Sequence, residues 1–208
     1  MSPHRRALIL VDVQQEYFEG PLEIQYPPHA DSLPNIVAAI DAATSAGIPV
    51  AVIQHTAGND APVFNPTMKG FQLHSEIAQR QTHKWKAITK QFGTVFAGTD
   101  LLEWLREHDI DTITLVGYMT NNCILASAAE SETHGLAAEV LSDATGAINI
   151  ANDAGFADAK TVHNTLMALL NSNFAAVATT DDWTRALGEG RALPKDNLPG
   201  SALLGAQR

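Results

Sequence analysis

Short apolar runs alternate with longer amphipathic stretches along this chain. Ala7–Val11 (ALILV), Pro49–Ile53 (PVAVI), Thr112–Gly117 (TITLVG), Ala137–Leu141 (AAEVL) and Phe174–Ala178 read as strands. They are nearly continuous in apolar character, which fits strands covered on both faces. Between them the period changes. Leu33–Ala46 carries Ile36, Val37, Ile40 and Ala43 at helical spacing, and Gly47 is its stop. Thr99 and Asp100 can cap a helix to His108, with Leu101, Leu102 and Leu105 on one face. Asn121–His134 reads as a helix ended by Gly135, Asp158–Asn171 as another, and Asp181–Leu187 as a short one. Strands that alternate with helices imply right-handed βαβ units. The predicted fold class is therefore α/β: a three-layer αβα sandwich on a mainly parallel, Rossmann-like sheet.

Two segments fall outside this alternation. Gln54–Lys84 is rich in Gly, Asn, Pro and His and is longer than ordinary connections, a property of functional loops. The tail from Gly188, with Gly, Pro and Ala, reads as an extended or loosely ordered arm, able to wrap a neighbouring subunit. The length of 208 residues suits one domain, 1–208, with a core at about 7–187 and an extension at 188–208.

In parallel sheets, ligands bind beyond the carboxyl ends of the strands. Asp12 ends the first strand, His55 follows the second, and Thr120–Cys123 lie between the strand ending at Gly117 and the next helix. The fold brings these distant positions to one rim.

Composition narrows the choice of chemistry. Apolar residues make up 45% and charged residues 17%, a globular balance. The net charge of −10 disfavours nucleic acid and anionic membranes as partners. No stretch approaches the roughly 20 apolar residues of a membrane span, and the run Ala7–Val11 is too short for a signal core. A soluble cytoplasmic protein is expected. Cys123 is the single cysteine, so it makes no internal disulfide; it is either a small buried hydrophobe or a reactive thiol.

Cys123 falls in the first turn of a predicted helix, where unpaired N–H groups and the helix dipole favour a thiolate. Asp12 closes an apolar strand, so its carboxylate needs a partner or a raised pKa, unless it is merely a cap or turn former. Lys90, taken alone, is an ordinary surface charge. Together the three have a chemical sense: a nucleophilic cysteine needs a base for its proton and a cation to hold its charge. Other constellations fail. There is no G-x-G-x-x-G, no G-x-x-x-x-G-K-[ST], no G-x-S-x-G and no H-E-x-x-H. His74, His83 and His134 read as surface histidines. Tyr17, Phe18, Phe64, Trp85 and Phe96 lie near the candidate segments; most belong to the core, and one or two can wall a pocket.

Four segments resemble, in order, the isochorismatase-like cysteine hydrolases: ALILVDVQQEYF (7–18), KQFGTVFAGTDL (90–101), TLVGYMTNNCILASA (114–128) and AEVLSDATGA (138–147). The superfamily includes nicotinamidases and N-carbamoylsarcosine amidases. The resemblance implies Cys123 as nucleophile, Asp12 as proton shuttle and Lys90 as electrostatic partner. It implies a cis peptide between Tyr118 and Met119 and an oxyanion hole from the backbone N–H groups of Met119 and Cys123. Tyr17, His55, Phe64, Tyr118 and Asn122 are the candidate substrate-binding residues. Thr120 would brace the turn.

Two departures refine the expectation. Nicotinamidases carry D-x-H and a further His as metal ligands; here Ile53 stands at that Asp position in Ile53-Gln54-His55, so neither metal nor cofactor is expected. Some isochorismatases lack the cysteine, because vinyl-ether hydrolysis needs an acid and not a thiolate. The expected function is hydrolysis of a C–N bond in a small amide, carbamoyl or ureido substrate. The alternatives are vinyl-ether hydrolysis with Asp12 as acid, and a non-enzymatic scaffold. A homo-oligomer, dimer or tetramer, is expected from the resemblance and from the apolar segment Leu193–Leu204.

Overall fold

The computed structural model describes residues 5–208; the first four residues of the expected domain lie outside them. Among the described residues the eight strands are β1 (Arg6–Val11), β2 (Val50–His55), β3 (Lys86–Lys90), β4 (Thr112–Tyr118), β5 (Ala137–Gly146), β6 (Ile150–Asn152), β7 (Gly155–Ala157) and β8 (Ala176–Ala178). Helices are α1 (His29–Ser45), α2 (Ser75–Ala78), α3 (Leu101–Glu107), α4 (Leu125–Ser131), α5 (Ala159–Leu169), α6 (Thr180–Gly188) and α7 (Leu198–Gly205). Six strands form one parallel sheet in the order β3-β2-β1-β4-β5-β8; β6 and β7 make a separate antiparallel hairpin.

The pleat explains the two covered faces. Ala7, Ile9 and Val11 point to the side of α3, α4 and α5, where Leu101, Leu105, Ala128 and Met167 meet them. Leu8 and Leu10 point the other way, onto Ile36 and Ile40 of α1 and Trp183 of α6. β1 thus feeds two cores, which is why its sequence shows no polar alternation.

At the amino ends of the strands the sheet holds a buried polar network. Arg6 meets Glu139 in a bidentate pair at 2.8–3.1 Å. Thr114 and the Trp183 indole also donate to the same carboxylate, at 2.8 and 3.0 Å. Every lone pair is used, the condition under which a buried charge is tolerated.

Several elements differ from the sequence reading. β3 is an edge strand with an alternating burial pattern, so it carries no continuous apolar run. α1 begins at His29, four residues ahead of the periodic stretch, and contains Pro34. The long connection contains α2 and a short 3-10 turn at Lys69–Phe71. The tail is not an extended arm: its end forms α7, capped by the Asn197 side chain on Gly200 N–H. No residue of α7 is buried, and Leu198, Leu203 and Leu204 face solvent. Among the described residues no helix is long and apolar enough to cross a membrane.

Candidate active site

Three parallel strands deliver three side chains to one point beyond their carboxyl ends. Asp12 follows β1, Lys90 closes β3, and Cys123 sits in the turn after β4. His55 closes β2, in register with Lys90.

Asp12 adopts φ +50, a left-handed conformation that costs a non-glycine residue on the order of 1 kcal/mol or more. It is held there by hydrogen bonds on both sides: its N–H donates to Ile53 O at 3.0 Å, and its carbonyl accepts from Gln14 N–H at 2.7 Å. Backbone strain of this kind clusters at functional sites, so it marks Asp12 as a candidate.

Lys90 is the hub. Its Nζ lies 2.8 Å from Asp12 Oδ2, 3.1 Å from Cys123 Sγ and 3.0 Å from Phe92 O. His55 Nδ1 is 3.4 Å away. The Asp12 contact is an ion pair without hydrogen-bond alignment, since neither carboxylate oxygen has a well-angled donor. Asp12, Lys90 and Cys123 are 0, 1 and 2% exposed, so all three side chains are shielded from bulk water.

Burial sets the protonation states. It pushes the Asp12 carboxyl above its usual range, against the opposing pull of Lys90. Burial, and then the Asp12 charge, pushes the Cys123 thiol up to about 12, and Lys90 offsets only part of this. The resting cysteine is therefore a thiol, contrary to the thiolate expected from the helix start and Lys90. Desolvation, invisible in a linear pattern, outweighs both. His55 is lowered to about 4 by burial and then by Lys90, so it is neutral. Tyr17 is raised well above its ordinary value, by burial first and then by Asp12 and Cys123, and stays a phenol.

The turn itself is not a regular helix start. Met119 O accepts from Asn122 N–H at 3.1 Å and from Ile124 N–H at 3.3 Å. The second bond spans five residues, making Thr120–Ile124 a π-turn, and α4 begins only at Leu125. Such turns recur at functional sites. The Tyr118–Met119 peptide is cis, as the resemblance implies.

The remaining candidates divide. Tyr17, Phe64 and His55 form a contiguous wall next to Lys90, with Tyr17–Phe64 centroids at 5.3 Å and Phe64–His55 at 5.0 Å. Tyr118 does not join it as a polar contact: it is fully buried, and its hydroxyl bonds Ser32 Oγ of α1 at 2.8 Å. That places it among the packing residues of the α1 face. Asn122 is exposed, whereas its neighbour Asn121 has a buried Oδ1 with no hydrogen-bond partner. His74 caps α2, accepting from Glu76 N–H.

Sequence reasoning missed two braces. Gln14 is buried; its amide accepts from His55 N–H at 2.7 Å and donates to His55 O and Phe71 O at 3.0 and 2.9 Å. It ties the Asp12 turn to β2 and to the long connection. Ser127 donates to Cys123 O at 2.6 Å and accepts from Val95 N–H at 3.0 Å, joining the lysine segment to the cysteine turn. Its i+4 spacing from Cys123 was the available signal. Among the described residues no group of three or more His, Cys, Asp or Glu is arranged to hold a metal, and His55 points its Nδ1 at the Lys90 cation.

Comparison with known proteins adds an independent line. The sequence profile of the isochorismatase domain matches residues 6–182. An isochorismatase candidate from Burkholderia xenovorans LB400, solved by crystallography, superimposes with a TM-score of 0.96. It has 40% identity, with 100% of this chain and 99% of that one covered. The uncharacterized isochorismatase family protein YrdC of Bacillus subtilis is 32% identical over 85% of this chain and 93% of its own. A shorter stretch of 88 residues, 41% of each chain, is 34% identical to maleamate amidohydrolase of Pseudomonas putida.

Proposed function

The chain belongs to the isochorismatase family of hydrolases, and on that footing we propose that it cleaves a C–N bond in a small amide, carbamoyl or ureido compound through a thioester on Cys123. The observation that carries this reading is the convergence of Asp12, Lys90 and Cys123, with Lys90 Nζ within 3.1 Å of both partners in a buried site. The match to maleamate amidohydrolase supports the amide class.

The protonation states order the steps. A thiol raised to about 12 is a poor nucleophile until its proton moves. Asp12, whose affinity for a proton burial has raised, takes that proton as Sγ attacks the carbonyl carbon. Lys90 balances the negative charge as it passes from carboxylate to sulfur. The backbone N–H groups of Met119 and Cys123 are the donors for the developing oxyanion. Protonated Asp12 then gives its proton to the leaving nitrogen, the C–N bond breaks, and an amine or ammonia departs. Water next attacks the thioester with Asp12 as base, releasing the acid and restoring the thiol. Tyr17, Phe64 and neutral His55 form the wall for the rest of a small substrate.

The test is ammonia release from a panel of small amides, carbamoyl compounds and ureides, with wild type and Cys123→Ala. The alanine variant should fold normally and retain under about 1% of the activity, since only the nucleophile is lost. Quenched wild type should carry an acyl mass on Cys123. Substantial hydrolysis by the variant would overturn covalent catalysis.

One observation favours a second reading. A protonated thiol beside a carboxyl of raised pKa also suits acid-catalysed vinyl-ether hydrolysis, with Asp12 as acid and Cys123 idle. Turnover of isochorismate with no amide turnover and no adduct would select it. The exposed leucines of α7 support a homo-oligomeric assembly, which light scattering at micromolar concentration checks against the 22.3 kDa of one chain.

A further inference from the structure

The residue that starts the cysteine turn is tied down from behind. Thr120 is fully buried, and its Oγ1 lies 3.0 Å from His163 Nδ1 and 3.1 Å from Thr145 Oγ1. Thr145 is on β5 and His163 on α5, so one hydroxyl joins the π-turn to the sheet and to the helix layer. His163 is 3% exposed and stacks edge-on to Tyr26 at 5.7 Å. Lys160, one turn earlier on α5, sits over the same Tyr26 ring at 5.8 Å. Nothing in the hydrolytic steps above uses this histidine, yet a buried imidazole without a purpose is costly to keep.

Burial lowers His163 to about 4, so one ring nitrogen carries a proton and the other is an acceptor. The ring also interacts with the Ser142 backbone in the sense that favours a donated proton. A proton directed to Ser142 leaves Nδ1 as the acceptor. The Thr120 hydroxyl then donates to Nδ1 and accepts from Thr145. Each bond then has one donor and one acceptor, which fixes the rotamer of Thr120 and the start of the turn.

We propose that His163 is a positioning residue: through the Thr120 hydroxyl it holds the π-turn so that Cys123 Sγ stays at Lys90 and Asp12. This rests on the reading of Cys123 as nucleophile. The other restraints act on the far end of the turn, where Cys123 and Ile124 pack in the core and Lys90 meets Cys123 Sγ. Met119 O closes it from within, and Ser127 holds only the carbonyl of Cys123. A Thr120 free to rotate lets the segment from Met119 to Cys123 drift, and small misplacements of a reacting atom can cost about 100-fold in rate.

The experiment compares His163→Phe, His163→Asn, Thr120→Val and the Thr120→Val/His163→Phe double variant in the full-length protein. Asn offers Oδ1 near the position of Nδ1; Phe fills the volume without an acceptor. Two readouts are taken: kcat and KM on the best amide of the panel, and the rate of Cys123 alkylation by iodoacetamide, which needs no substrate. His163→Phe should lower kcat by about 10- to 100-fold with KM within about twofold. His163→Asn should recover most of that loss. The double variant should be no worse than Thr120→Val, because the two act through one bond. Alkylation should change in the same variants and recover in Asn.

Melting curves of all four report folding; if His163→Phe is unfolded, the Asn variant and the Thr120→Val comparison carry the test. Additive losses, or failure of Asn to rescue a folded protein, would overturn the positioning role. Unchanged kcat in His163→Phe, with Cys123→Ala inactive, would sink this inference and leave the hydrolase reading standing. Retained hydrolysis in Cys123→Ala would remove both.

Discussion

Replacing Gly117 with alanine should damage both the stability of the sheet and the alignment of the site. Gly117 has φ +106, and the β4–β5 register shifts between Leu115 and Gly117. A Cβ built there would lie 2.1 Å from Val11 O and 2.9 Å from Val11 C, inside any permitted contact. The atoms struck are backbone, so no side chain can swing aside. Two costs add. Holding an L residue in this conformation costs on the order of 1–2 kcal/mol. Pushing two packed strands apart costs typically 1–3 kcal/mol more. The sum, about 2–5 kcal/mol, corresponds to a fall in Tm of roughly 4–20 °C for a domain of this size. Gly135→Ala separates the two parts, because Gly135 has φ +73 but an added Cβ there meets nothing within 4 Å. It should lose only the conformational share. The site should suffer further: Val11 precedes Asp12, and a shift of β1 moves the carboxylate from Lys90 and Cys123. Calorimetry and ammonia-release kinetics on the two variants make the comparison. A Gly117→Ala protein that melts no lower than Gly135→Ala, or that keeps full kcat, would refute the reasoning.

Lys90→Met should cost about 3–5 kcal/mol near neutral pH, because it strands the buried Asp12 carboxylate. Adding Asp12→Asn should restore most of that stability while activity stays absent; denaturant melts of both variants decide it, and an equally unstable double variant would count against a buried charged pair. Asp12 has a raised pKa in the fold, so its contribution favours the folded state below the unfolded carboxylate pKa and fades as pH rises through the folded value. The Lys90→Met melt should accordingly improve on acidification from pH 7 toward 5, whereas an improvement only on alkalinisation would contradict the sign. Alkylation of resting Cys123 by iodoacetamide should climb from pH 8 through 10 without a plateau, as a thiol at about 12 requires; a plateau near pH 7 would reveal a standing thiolate.

Much of this was legible in the linear pattern, and the exceptions have physical causes. Continuous apolar runs announced the central strands, because a strand covered on both faces has no polar side. β3 escaped because an edge strand is half-covered, and the hairpin Ile150–Ala157 because its strands are short and largely exposed. Asp12, Lys90 and Cys123 could be named because each sits at a strand end or in a marked motif. Their protonation could not, since it depends on how completely the surrounding fold excludes water. Thr145 and His163 lie 25 and 43 residues from Thr120, and although Thr145 falls in the segment 138–147, nothing in the linear pattern pairs either with Thr120, so only the fold makes them neighbours. Tyr118 shows what a linear pattern leaves out: its hydroxyl is committed to Ser32 of α1, while its ring packs on Tyr17 at 5.6 Å.

The sealed thiol has a bearing on how long such a protein lasts. Peroxide attacks thiolates, and exposed sulfur of low pKa is the first to become sulfenic and then irreversibly sulfinic acid. Cys123 at rest is neutral and 2% exposed. Its sulfur should outlast free cysteine in a peroxide titration followed by mass spectrometry, and faster loss than free cysteine would show the seal to be leaky. Under the proposed mechanism, a cysteine kept as a thiol until a substrate reaches it spends most of its life chemically dormant, so oxidative wear would accumulate with turnover rather than with age.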